Sequence, residues 1–179
     1  MESDKFYSQL DLPFQETNQI FLRDIFLTLE SQFDLKKDSN QIFVDLGAGN
    51  GQVIIYSAVN YGIKSIGIEI DPILIEEAKN SVKNLKKLKK YSKNQIKSIR
   101  IIHGDFYRQD LKPFDYVYIY SLPTMHKYLK HLFNTARNGS VIISHIYPLK
   151  SLTEHLQLSH KFEHSKNNQK MYTFFYKRI

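Results

Sequence analysis

The chain has no cysteine among its 179 residues, which excludes disulfides, thiolate metal sites and a thiol nucleophile. Apolar runs such as Val141 to Ile143 fall far short of the roughly 20 residues needed to cross a bilayer as a helix. Met1 to Lys5 is polar and carries Glu2 and Asp4, so no basic segment leads into an apolar one as in a secretory leader. The expected location is cytoplasmic. No internal repeat and no Pro/Gly/Ser-rich linker divides the sequence. The seven histidines show no metal-ligand spacing such as H-E-x-x-H, and G-x-S-x-G is missing. Neither a metal nor triad hydrolysis is therefore expected. The length suits one domain with a sizeable core. The expected organisation is a single domain over residues 1–179, with residues 1–38 an N-terminal helical segment packed on it.

What the chain has in excess is positive charge, and that excess is local. Between Lys83 and Arg100 stand eight basic residues and no acid, against a net charge of +7 for the whole chain. Such a stretch suits nucleic acid or an acidic protein partner. It holds one aromatic, Tyr91, and a single arginine, which favours a solvated helix end and loop.

Strand-like and helix-like segments alternate. Ile20, Phe21, Leu22, Ile25, Phe26, Leu29 and Phe33 recur at helical spacing, which predicts an amphipathic helix over about 16–33. Strands are predicted at 41–46, 64–70, 99–104, 115–120 and 140–146. A final strand is predicted over 171–176, with a partner near 158–163, and a short helix near 151–156. Asp71 and Pro72 suit the N-cap and first turn of a helix. Strands separated by helical patterns imply βαβ units and a parallel sheet covered on both faces, with ligands at the strand C-termini.

Asp45-Leu46-Gly47-Ala48-Gly49-Asn50-Gly51 carries the strongest signal. Glycines there let a ligand approach the backbone, and the following helix N-terminus is expected to offer free N–H groups to an anionic group. Dinucleotide spacing fails because Gln52 stands where the third glycine belongs, and no P-loop Gly-Lys-Ser/Thr follows. Asp45 would repel phosphates yet tolerate a zwitterion bearing an ammonium and a sulfonium. Glu69 closes the second strand, where a carboxylate can accept from both hydroxyls of a ribose. Asp105 closes the third, where it can accept from an adenine amine while Phe106 packs on the ring or offers its N–H. Taken singly, Glu69 and Asp105 are each equally well a helix N-cap or a solvated loop residue; the glycine loop, Glu69 and Asp105 on successive strand ends form a more specific set.

These residues resemble the class I S-adenosylmethionine-dependent methyltransferases over nearly the whole chain, from about Phe14 onward. Asp45 to Gly51 matches their first motif, Glu69 the acid after the second strand and Asp105 the acid after the third. The resemblance implies an α/β, Rossmann-like, doubly wound sheet of seven strands, ordered 3-2-1-4-5-7-6 with the last antiparallel. It implies contacts from Gly47, Gly49 and Glu69 to the cofactor, with Asp45 beneath its methionine moiety. Phe43-Val44-Asp45-Leu46-Gly47, Gly67-Ile68-Glu69, Phe114-Asp115-Tyr116-Val117, Tyr120 to Met125 and Gly139 to His145 are similar to the non-SET protein lysine methyltransferases. That group includes small archaeal enzymes and relatives acting on the c-subunit of ATP synthase. Their Pro-rich Tyr-Val-Pro-Thr-Pro-like segment is matched in part by Leu12-Pro13-Phe14-Gln15-Glu16-Thr17, which aligns Thr17 with a threonine touching the methionine carboxylate.

Methyl transfer is a displacement at a sulfonium carbon, so the protein supplies alignment and a neutral nucleophile. A lysine amine must first lose a proton held with a pKa of about 10.4, which a desolvating aromatic channel promotes. Tyr7, Phe14, Tyr118, Tyr120 and Tyr147 are candidates for its walls, and Tyr120 and Ser121 are expected to form its catalytic part. Tyr116 and Tyr118 read better as core. His126 and His145 are candidate bases, but a lone histidine is more often structural, and neither is assigned that role. A protein lysine acceptor is the leading expectation. The alternatives are an RNA or DNA methyltransferase using the 83–100 stretch and a non-catalytic module binding cofactor or partner. Base methylation at an amino group usually brings an Asn/Asp-Pro-Pro-Tyr/Phe loop, which Ser121-Leu122-Pro123-Thr124 is not.

Overall fold

The computed structural model describes residues 17, 19–152, 154–166 and 169–179. Tyr7, Phe14 and the rest of the segment from Leu12 to Glu16 lie outside them.

Helix α1 (Gln19–Gln32) forms where the apolar spacing predicts it. β1 (Ile42–Leu46), α2 (Gln52–Tyr61), β2 (Lys64–Glu69) and α3 (Pro72–Lys87) follow. Asp71 caps α3 by accepting the Ile73 N–H at 2.8 Å, and Pro72 occupies the first turn, where its missing N–H costs nothing. A short helix α4 (Lys93–Lys97) precedes β3 (Ile99–His103). It lies inside the basic stretch expected to be helix end and loop. Its signal was the Ser92-x-x-Gln95 pattern, which here closes a reciprocal capping box. The chain continues as β4 (Tyr116–Ile119), α5 (His126–Asn134), β5 (Val141–His145), β6 (Leu156–Lys166) and β7 (Gln169–Arg178). The helix predicted near 151–156 is only a 3-10 turn over Lys150–Leu152, because β6 begins at Leu156.

The strands form one seven-stranded sheet of order β3-β2-β1-β4-β5-β7-β6. β1 to β5 pair in parallel, and β7 runs antiparallel to both β5 and β6. Helices cover both faces. Val44, Leu46, Val117, Ile119 and Ile142 pack toward α5. Phe43, Tyr116, Tyr118, Ile143 and Phe175 pack toward α1 and α2. Tyr116 and Tyr118 are thus core residues, as alternation along a strand requires.

One glycine inside a strand is explained by close approach. A Cβ on Gly67 would stand 2.7 Å from Ala48 Cβ and 2.8 Å from Ile54 Cδ1. Gly67→Ala is therefore expected to push the glycine bend and α2 off the sheet and to destabilise the fold by about 1–3 kcal/mol. A urea melt of the variant checks this; an unchanged midpoint would refute it.

Candidate active site

The bend after β1 places Gly47, Gly49 and Gly51 at φ of 82°, 53° and 80°, the left-handed region that other residues enter at a cost. The N–H groups of Gly47, Ala48, Gly49, Gly51 and Gln52 are engaged within the fold. Gly47 and Ala48 donate to the Ile68 carbonyl (2.9 and 3.0 Å), Gly51 to the Ala48 carbonyl (2.9 Å) and Gln52 to Asn50 Oδ1 (3.3 Å). Gly49 donates to Glu69 Oε2 at 2.7 Å. The bend is laced to the end of β2, because buried N–H groups need partners whether or not a ligand is present. An anion cradle of the polyphosphate kind is not what it builds. What the bend offers instead is bare backbone: the Phe106 ring lies 3.8 Å from where a Gly47 Cβ would stand.

Glu69 is 7% exposed. Besides Gly49, it accepts the N–H groups of Ile70 (2.7 Å) and Asp71 (2.9 Å) through Oε1. A carboxylate has about four acceptor positions, so the second lone pair of Oε2 remains beyond these three bonds. Asp105 caps the 3-10 turn Phe106–Arg108 by accepting the Tyr107 N–H at 2.9 Å, and Arg108 Nε lies 3.5 Å from its Oδ2. Of the two acids after strands, Asp105 thus also fills the capping role that its sequence allowed.

Asp45 is 3% exposed. Burial, and after it the charge of Glu69, holds its carboxyl well above the usual carboxylate range. In the sheet Asp45 is flanked by Gly67 and Tyr118. The Tyr118 hydroxyl bonds the Thr17 hydroxyl at 2.8 Å. Burial raises that phenol, and the Asp45 charge adds to the effect. The structure therefore brings Thr17 and Asp45 to the same tyrosine, though they lie far apart in sequence.

Along the same edge the ends of β4 and β5 are aromatic. The Tyr120 ring stands 6.0 Å from the His145 ring and 6.2 Å from the Tyr147 ring. Ser121 is 1% exposed, and its Oγ has no hydrogen-bond partner among the described residues. The same is true of His126 Nε2 and Gln52 Oε1. Burial lowers the His126 pKa. Unpaired buried polar atoms are uncommon and call for a partner; Ser121 directly follows Tyr120, and Gln52 opens α2 behind the bend.

These residues fit the expected S-adenosylmethionine. The acid nearest the bend is buried where a cation would relieve it, an acceptor remains on Glu69 for a ribose hydroxyl, and a bare glycine faces an aromatic ring. Sequence inspection placed Gly67 in a motif but missed its close packing, whose signal was a glycine within an apolar strand. It also missed Thr173 and His164 behind His145, which carry no local signal. Among the described residues, no three or more His, Asp or Glu side chains are grouped as a metal site. No described helix is long and apolar enough to cross a membrane.

Comparison with known proteins agrees with this fold. The chain is 27% identical over 118 residues to a protein-lysine N-methyltransferase of Saccharolobus islandicus strain REY15A, covering 64% of this chain and 68% of that one. An RNA methyltransferase of Salinibacter ruber, solved with S-adenosyl-L-homocysteine, superposes with a TM-score of 0.67 at 23% identity, over 90% of this chain and 93% of that one. A precorrin-6y C5,15-methyltransferase of Geobacter metallireducens superposes with a TM-score of 0.60 at 15% identity, over 94% and 92%. At such identities the superpositions establish the fold. Residues 45–155, well over half of the chain, match the model of the ANTKMT methyltransferase domain. The chain belongs to that family, within the class I S-adenosylmethionine-dependent methyltransferases, and is a methyltransferase whose methyl donor is S-adenosylmethionine.

Proposed function

We propose that the chain transfers the methyl group of S-adenosylmethionine to the side-chain amine of a protein lysine. The observation that carries this is the uncharged aromatic end of the site, where Tyr120, Tyr147 and His145 lie together beyond Asp45. A lysine enters such a wall by leaving water, which favours its neutral form, and only the neutral amine has a lone pair for the displacement. Asp45 pairs with the cofactor's ammonium and sulfonium end, and Thr17 bonds the methionine carboxylate beside Tyr118. Gly47 and Gly49 let the cofactor cross the bend. Glu69 takes the ribose, while Asp105 and Phe106 bound the adenine. Tyr120 lines the acceptor channel, and Ser121 turns its unpartnered hydroxyl to the bound pair. The lysine relative from Saccharolobus supports the same acceptor.

The basic stretch argues against a nucleic-acid acceptor. Its eight cations are exposed on the last turns of α3, on the link that follows it, on α4 and at the start of β3. α3 leaves the active edge at Pro72 and runs 16 residues, which at 1.5 Å per residue carries its end about 20 Å away. The cations therefore lie away from the methyl group and do not line the acceptor site. Labelling protein and RNA fractions with tritiated S-adenosylmethionine tests the proposal. Label is expected on protein, at lysine by mass spectrometry, and label confined to RNA would overturn the assignment.

A further inference from the structure

Behind the aromatic wall runs a line of hydrogen bonds that methyl-donor binding does not use. His145 Nδ1 lies 2.9 Å from Thr173 Oγ1, and His164 Nε2 lies 2.8 Å from the same oxygen. His164 Nδ1 lies 3.3 Å from Asp24 Oδ2 on α1. His145, Thr173 and His164 are all buried, whereas the Asp24 side chain is 28% exposed. The rings of Phe21, Tyr118, Tyr120 and Phe162 surround the two imidazoles, and Asp24 is the charged group facing them.

The direction of every bond in this line follows from its outer end. An ionised carboxylate only accepts, so His164 Nδ1 carries a proton. A neutral His164 then has a bare Nε2, which obliges the Thr173 hydroxyl to donate to it. The threonine oxygen is left to accept from His145 Nδ1–H, so His145 Nε2 carries the lone pair. The two nitrogens of an imidazole point to opposite sides of the ring. Thr173 lies on β7, on one side of β5, and β4 lies on the other, where the Tyr118 and Tyr120 rings stand 6.2 and 6.0 Å from the His145 ring.

We propose that His145, fixed in its Nδ1–H tautomer by Thr173, His164 and Asp24, accepts a hydrogen bond from the incoming amine and so aims the amine's lone pair at the methyl carbon. This rests on the lysine assignment above. In the displacement the N–C bond forms as the C–S bond breaks, the sulfur keeps its electron pair, and the extra proton leaves the methylated ammonium afterwards. His145 is not the group that takes it. Burial, with the neighbouring His164, pushes its pKa down to about 3, far too low to draw a proton from a lysine ammonium near 10.4. The same burial makes it a neutral acceptor at every working pH, and burial lowers His164 likewise. His145 thus orients the amine and Thr173 is a positioning residue.

Nitrogen-15 NMR of the histidine rings tests the tautomer without any substrate. At neutral pH, His145 and His164 are each expected to show a protonated Nδ1 and a bare Nε2. A protonated Nε2 on His145 would overturn the proposal whatever the acceptor is. The kinetic arm compares Thr173→Val, which keeps the ring but frees its tautomer, with Thr173→Ser, which retains the hydroxyl. Methyl transfer to the protein fraction is expected to fall about ten- to a hundredfold in kcat for the valine variant, with KM for S-adenosylmethionine unchanged and activity restored by serine. Equal kcat in all three proteins would refute the orienting role. Wild-type protein that labels only RNA would instead refute the lysine acceptor, and the tautomer measurement would stand apart from that result.

Discussion

Asp45→Asn is expected to make the protein more stable and a poorer binder of its cofactor. Asp45 is buried beside the carboxylate of Glu69, and both effects raise its pKa, burial first. In the unfolded chain it titrates near the ordinary value of about 3.9. Above that value the unfolded state releases a proton that the folded state still holds, so the folded state loses stability as pH rises toward the folded pKa. Asparagine has no such titration. The stability gap between variant and wild type should open as pH rises from about 4, then level off above the folded pKa. Relief of this kind is worth about 0.5–2 kcal/mol, or a few degrees in Tm for a chain this size. Binding should move the other way, because the proposed placement of S-adenosylmethionine brings its ammonium and sulfonium to the buried Asp45. Loss of a hydrogen bond to a charged group costs about 1.5–3 kcal/mol, a ten- to hundredfold weaker Kd. Wild-type affinity should rise with pH as the ligand's cations draw Asp45 into its ionised form, and this dependence should vanish in the variant. Thermal melts and calorimetry across pH give both readings. A lower Tm with unchanged affinity would remove Asp45 from the site.

Glu69→Ala should have the larger effect on the cofactor pocket, for a reason beyond the ribose. The carboxylate holds three N–H groups, those of Gly49, Ile70 and Asp71, and that of Gly49 lies in the glycine bend itself. Removing it leaves a buried donor unpaired, at a cost of about 1–3 kcal/mol, and unhooks the bend from β2 before any ligand arrives. Together with the lost ribose contact, affinity should fall roughly a hundredfold or more. Glu69→Gln is no rescue, since its amide would turn an N–H toward one of the backbone donors. Calorimetry measures the affinity, and hydrogen exchange at the Gly49 amide measures the loosened bend. Unchanged affinity would exclude Glu69 from the site.

The comparison of Glu69 with Asp105 shows where sequence inspection succeeds and where it stops. Both close parallel strands, and their positions give them equal standing as ligand acids. Only the folded chain shows that Glu69 braces the glycine bend while Asp105 caps its own turn. The same holds for the bend: its glycines are legible, but the acceptors for Gly47, Ala48 and Gly49 come from β2, which the local pattern does not contain. His145 was visible as a histidine at a strand end. Its partners were not, because His164 and Asp24 stand 140 residues apart in the chain.

The sequence by itself determined the alternation of strands and helices, the glycine bend with its nearby acids, the Asp71-Pro72 helix start and the local basic stretch. Each of these depends on neighbours within a few residues, through apolar period, capping chemistry or backbone freedom. The tertiary structure alone decided which N–H each carboxylate holds, why Gly67 has no room for a side chain, and which groups form the hydrogen-bonded line from Asp24 to His145. Those depend on the register of seven strands and on what packs across them, and register is a property of paired segments that no single segment carries.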